Sequence, residues 1–192
     1  MACSDGISAN IVSNCTTAIT GGLEVKAWIY NRSVITAAIQ AGNITFNNLM
    51  LDTFGGLVLA AGTAFTMTGV RKLLNSGSDV VVADNRPKKW AHSFMLEIFD
   101  RTAEGIANGD RLNDVVVIVE NKDKGTAGDG AFEVLGLSHG LWKSSDVQSA
   151  NTANGSRVIE LKSLAGQEEQ FSKNTLLVTD YATTLAALEA TE

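Results

Sequence analysis

Residues Asp114 to Leu137 read DVVVIVEN, then KDKGTAGDG, then AFEVLGL. Two apolar runs flank a glycine-rich polar segment, which is the pattern of a β-hairpin with a long loop. Val115 to Val119 is β-branched throughout. Such a run predicts a strand buried on both faces, because a strand with one wet face would alternate. The hairpin makes a β-rich fold the first expectation.

The flanking sequence extends it. Leu23 to Tyr30 alternates, with Leu23, Val25, Ala27 and Ile29 on one face and Glu24, Lys26, Trp28 and Tyr30 on the other. Trp28 and Tyr30 then form either an aromatic pair under a loop or a subunit contact, where aromatics are enriched. Trp90 to Asp100 reads as a long strand with His92, Phe94, Leu96 and Ile98 on one face. Further strands are predicted at Ile44–Leu51, Leu57–Ala60, Ala64–Gly69, Asp79–Ala83 and Leu176–Val178. Ser144–Ala150 and Ser156–Leu164 form a second hairpin with Asn154-Gly155 at its turn, a strong type I′ signal.

Helical signals are fewer. Thr102 caps a short helix to Leu112, weakened by Gly105 and Gly109. Asp180 caps the clearest one, to Ala190, with Tyr181, Leu185 and Leu188 on one face. Arg32–Asn43 fits either a short helical turn or a connector, and Arg71–Asn75 a bend. Residues 1–22 are small and polar and read as an N-terminal arm preceding one β-rich domain, 23–192. The predicted class is mainly β, sandwich or barrel-like, with one short flanking helix and a C-terminal helix.

Composition narrows the function. The 192 residues carry a net charge of −6, with 45% hydrophobic and 19% charged residues. A chain of that length buries about 70% of its unfolded surface. Acidity argues against phosphate-neutralising nucleic-acid binding, which needs clustered Lys and Arg. Glycine occurs 18 times and proline once, which suits strands joined by tight turns. Cys3 and Cys15 are too few for a disulfide framework or a zinc site. No signal-peptide pattern opens the chain, and the uncharged stretch between Asp52 and Arg71 is too rich in glycine and threonine for a membrane span.

Chemistry finds little to work with. The chain has two histidines, His92 and His139, and no GxSxG elbow. His92 reads as a satisfied structural histidine, since no second His or Cys is near it in sequence. Gly125–Gly130 lacks the ending of a nucleotide loop, and a strand rather than a helix follows. Asp123 and Asp129 do not match calcium-loop spacing, and Lys122 and Lys124 would oppose a cation. Glu168 and Glu169 read as a solvated turn. The basic run Arg86-Pro87-Lys88-Lys89 reads as a solvated loop or a salt-bridging contact rather than a phosphate site. No catalysis, cofactor or metal is expected.

Three blocks carry a family resemblance: Gly22-Leu23-Glu24-Val25-Lys26-Ala27-Trp28; the stretch from Asp114 to Asp146 with VVVIVENKDKGT, DGAFEVLGL and GLWKSSD; and TDYATTLAALEA near the end. Together they resemble virion structural proteins of tailed bacteriophages, most of all tail tube proteins. The resemblance implies a β-sandwich whose copies close into rings, hexameric by analogy, stacked into a tube that conducts DNA without binding it. It implies further contacts with other tail and head–tail connector proteins, assembly in the host cytoplasm and residence in the virion tail. The subunit contacts expected on this view are Trp28, Tyr30, Arg86, Lys88, Lys89, Lys122, Lys124 and Asp129. The loop carrying the last three and the N-terminal arm are expected to reach between rings. A tail completion or head–tail adaptor ring and a capsid decoration protein share the expectation of a structural role. The competing class is a glycan- or receptor-binding β-sandwich using Trp28 or Trp142.

Overall fold

A computed structural model of the chain describes residues 22–48, 53–57, 59–68, 74–82, 87–99, 102–125, 127–148 and 156–192. The hairpin forms where its residues predict. β7 (Val115–Asn121) and β8 (Phe132–Leu135) pair antiparallel, with Val117 opposite Leu135 and Glu120 opposite Phe132. Six of the seven β7 residues are buried. Burial on both faces requires a layer on each side, and the fold supplies both.

β7 is near the middle of the larger sheet, whose order is β2 (Ile44–Asn48), β3 (Thr53–Leu57), β11 (Asn174–Leu176), β8, β7, β1 (Leu23–Asn31) and β4 (Phe65–Thr68). The smaller sheet runs β5 (Leu74–Val81), β6 (Lys89–Ile98), β10 (Arg157–Lys162) and β9 (Trp142–Gln148). Neighbours are antiparallel except β3 and β11. Between the sheets, Ala27, Ile29, Val117, Val119 and Leu135 meet Phe94, Leu96, Ile159 and Leu161. On the other face of the larger sheet, Trp28, Val116, Ile118, Phe132 and Val134 are covered by Ile35 and Ala38 of α1 (Arg32–Gln40) and Leu188 of α3 (Tyr181–Glu189). Period-two alternation thus sends one set of side chains into the sandwich and the other under the helices.

The predicted β-rich class is what is found, with a flanking helix α2 (Ala103–Asp110) and the C-terminal helix α3. Thr102 caps α2 through Gly105 N–H at 3.1 Å, and Asp180 caps α3 through Thr183 N–H at 2.8 Å. The segment from Arg32 resolves as the third helix, α1. Its Asn31 cap makes no side-chain bond, so tertiary packing of Ile35 and Ala38 holds it rather than a capping signal.

Boundaries shift where partners decide them. A strand at Leu57–Ala60 is not found: β3 ends at Leu57, and Leu59 packs instead on the helix-side core. Its two glycines, Gly55 and Gly56, look like breakers, but the strand is held by neighbours on both sides. Leu74 and Asn75 open β5 instead of bending, because Leu74 is buried in the sandwich. The last strand is Asn174–Leu176 rather than Leu176–Val178. Residues 1–21, 49–51, 71–73 and the Asn154-Gly155 turn lie outside the described residues.

Candidate assembly surface

Among the described residues, the smaller sheet is covered on one face only. Phe94 and Leu96 of β6 and Ile159 and Leu161 of β10 point into the sandwich and are fully buried. The alternate residues Ser93, Met95 and Glu97 of β6 and Val158, Glu160 and Lys162 of β10 face away. Val147 is 58% exposed and Met95 39% exposed on that side. Among the described residues no further strand pairs with β5 or with the outer side of β9, so both edges keep unpaired backbone groups. An open edge is a template for another strand.

Strand direction adds a constraint. Neighbours in this sheet are all antiparallel, so β5 and β10 run one way and β6 and β9 the other. A copy rotated about an axis along the strands would therefore bring its β5 antiparallel to β9 of the first. The outward face presents Asp79, Glu97 and Glu160 against Lys89 and Lys162. Glu160 and Lys162 pair at 2.8 Å.

The predicted contact residues separate under this geometry. Trp28 and Tyr30 are both 0% exposed, so neither side chain offers surface to a neighbour. The face left unassigned by the alternation is filled by α1 and α3, which sequence spacing could not dock there. Their polar tips are satisfied within the chain. Trp28 Nε1 donates to Glu192 Oε1 at 3.0 Å, and Tyr30 Oη and Thr191 Oγ1 are 2.8 Å apart. Burial pushes the Tyr30 hydroxyl up to about 12. Tyr30→Phe is expected to cost about 1 kcal/mol by removing one buried hydrogen bond, read as a shift in the urea midpoint.

Lys124 is likewise engaged inside the chain. It bonds the Glu120 carboxylate and the Asn121 carbonyl, and lies 5.1 Å from the centre of the Tyr181 ring. The loop it belongs to carries its own bonds: Gly125 N–H to Asp123 Oδ1 at 3.0 Å and Asn121 Nδ2 to the Gly130 carbonyl at 3.0 Å. These bonds fold the loop back on its own chain, so it does not depend on a neighbour for its shape. Asp129 and Lys88 are exposed, while Lys89 and Lys122 are partly covered. Arg86 lies outside the described residues.

His92 is a structural histidine, as its isolation suggests. It is fully buried on β6, with Nδ1 3.2 Å from Gly136 N–H and Nε2 3.0 Å from the Phe171 carbonyl. Since Gly136 can only donate, the ring proton belongs on Nε2, aimed at Phe171. Glu169 does not form a solvated turn with Glu168. It is 1% exposed, and its carboxylate accepts Ser138 N–H and His139 N–H, each at 3.0 Å. Its backbone pairs with Trp90, continuing the smaller sheet alongside β6. A two-residue acidic run carries no sign of that pairing.

A second cluster escaped notice. Arg157 reaches from β10 to the Asp146 carboxylate of β9 (2.7 and 2.6 Å), to Asp110 Oδ1 (2.5 Å) and to the Ile106 carbonyl of α2 (3.1 Å). Lys143 adds bonds to the Gly109 carbonyl at 2.8 Å and to Asp146 at 2.9 Å. Both cations sit at the C-terminal end of α2, where the unsatisfied carbonyls and the helix dipole favour positive charge. The available signal was parity: Arg157 shares the inward register of Ile159 and Leu161.

Among the described residues, no three His, Cys, Asp or Glu side chains converge as a metal site, and no helix is long and apolar enough to cross a membrane. No family model, curated protein or solved structure matches the chain.

Proposed function

We propose that this chain is a structural subunit that assembles with copies of itself, of the tail tube type found in tailed bacteriophages. The observation that supports the reading is the smaller sheet, which among the described residues is uncovered on one face and unpaired at both edges. Copies related by rotation join β9 to β5 with the alternation of strand direction unbroken, so a closed ring leaves no exposed edge in the smaller sheet. The resemblance in the blocks at Gly22–Trp28, Asp114–Asp146 and the final helix supports the tail tube among ring-forming proteins. On the bare face, three carboxylates stand against two ammonium groups, which gives no net attraction for a polyanion. That suits a wall past which DNA moves without sticking. The partners are other copies, then the tail and head–tail connector proteins at the ends of the stack.

Negative-stain electron microscopy of the purified chain tests the proposal. Rings or hollow stacked tubes are the expected result. A strict monomer at high concentration would refute self-assembly, and binding to a preformed capsid lattice alone would favour a decoration protein.

A further inference from the structure

We propose that α3 is a strap released by acid, lifting from the larger sheet as a unit while the sandwich beneath stays folded. The helix fully buries only Thr184 and Leu188, with Tyr181 and Leu185 partly covered. Beside these apolar contacts and the Tyr181 ring stacked on Phe132, polar fastenings hold both ends of the helix. Carboxylates serve both ends: the Asp180 cap and the Glu120 bond to Tyr181 at the N-terminal end, and Glu192 beyond the C-terminal end. Asp180 accepts Thr183 N–H at 2.8 Å, Glu120 accepts the Tyr181 hydroxyl at 2.6 Å, and Glu192 accepts Trp28 Nε1 at 3.0 Å while pairing with Lys26. The final fastening is reinforced by Ala64 N–H to the Thr191 carbonyl at 2.9 Å and Gly62 N–H to the Glu192 carbonyl at 3.1 Å.

The charged groups around these points are few. Glu120 accepts the Tyr181 hydroxyl, Glu24 and Glu189 add negative charge that acts on it through space, and Lys124 lies over its ring. Lys124 is also 3.9 Å from Glu24, and Lys26 is 3.9 Å from Glu189. Protonating Asp180 and Glu192 leaves each a carbonyl acceptor but removes the charge that strengthens its bond, at the cap of the helix and at Lys26.

The direction of the pH effect follows. The Thr183 backbone N–H holds Asp180 below the usual carboxylate range, and the Lys26 bond does the same for Glu192. Groups lowered in the folded state stabilise it above the unfolded carboxylate range, about pH 4, and lose that contribution as pH falls through the folded values. The Arg157 cluster under α2 is the more acid-resistant, since Asp146 there is lowered to about 2. The strap should open first.

Opening uncovers Trp28, which is fully buried when α3 is docked. A variant carrying Trp90→Phe and Trp142→Phe reports on Trp28 alone. Between about pH 5 and pH 3 its emission should shift to the red while the far-UV β-sheet signal holds, because the cluster that joins the two sheets is apolar. In the unaltered chain, α3 amides should lose at least about tenfold in hydrogen-exchange protection relative to β7 over the same range. Asp180→Asn with Glu192→Gln, which keeps both acceptors but cannot titrate, should flatten the response. Loss of α3 protection only together with β7, or none down to pH 3, would overturn the proposal. The test is independent of self-assembly, since it reads one chain's own helix.

Discussion

Phe132→Ala is expected to cost about 3–5 kcal/mol of stability, the range for emptying a large aromatic from a closed core. Phe132 is fully buried on β8, between the larger sheet and the helices that cover it. Its ring stands edge-on to Trp28 (centroids 6.0 Å apart, planes at 68°) and stacks on Tyr181 at 5.6 Å and 10°. Those contacts tie β8, β1 and α3 together. The cavity cannot collapse easily, because Trp28 and Tyr181 are each anchored by a hydrogen bond at the far end of the ring. Urea unfolding followed by far-UV circular dichroism checks it. A midpoint shift worth less than about 1 kcal/mol would mean the face relaxes around the gap.

Arg157→Ala is expected to cost about 1.5–3 kcal/mol, the range for losing hydrogen bonds to charged groups that stay partly in water. The Arg157 side chain is 10% exposed, and its removal leaves Asp146 without its main partner beside the end of α2. Arg157→Lys should recover only part of the loss, because an ammonium cannot reach Asp146, Asp110 and the Ile106 carbonyl together. The substitution also changes the response to acid. Arg157, then Lys143, holds the Asp146 carboxyl at about 2. Its folded-state value is lowered, so the stabilisation is complete above about pH 4 and is lost as pH falls toward 2. Urea midpoints measured from pH 5 to pH 2 should therefore fall less steeply in Arg157→Ala than in the unaltered chain.

The parts of the fold legible from sequence are those set by neighbours in the chain. The β-branched run Val115–Val119, the alternation through His92, Phe94 and Leu96, and the caps Thr102 and Asp180 all act over a few residues. What escaped was decided by distant partners. Trp28 and Tyr30 looked available because nothing local says that α1 and the residues at 191–192 will cover them. Glu169 looked solvated because its partners, Ser138 and His139, are about thirty residues away. Lys124 looked free because Tyr181 comes more than fifty residues later. The unpaired edges of the smaller sheet were half legible. Alternation identifies a strand with one wet face, but only the sheet order shows which strands end at an open edge.

The edge-to-edge joint is the claim on which the functional reading depends. A cryo-electron microscopy reconstruction of the assembled particle tests it most directly. It should show β5 of one copy lying antiparallel beside β9 of the next, with the outward residues Met95, Val158 and Val147 turned toward a central channel. Particles whose copies touch only through loops or helices, leaving β5 and β9 unpaired, would contradict it.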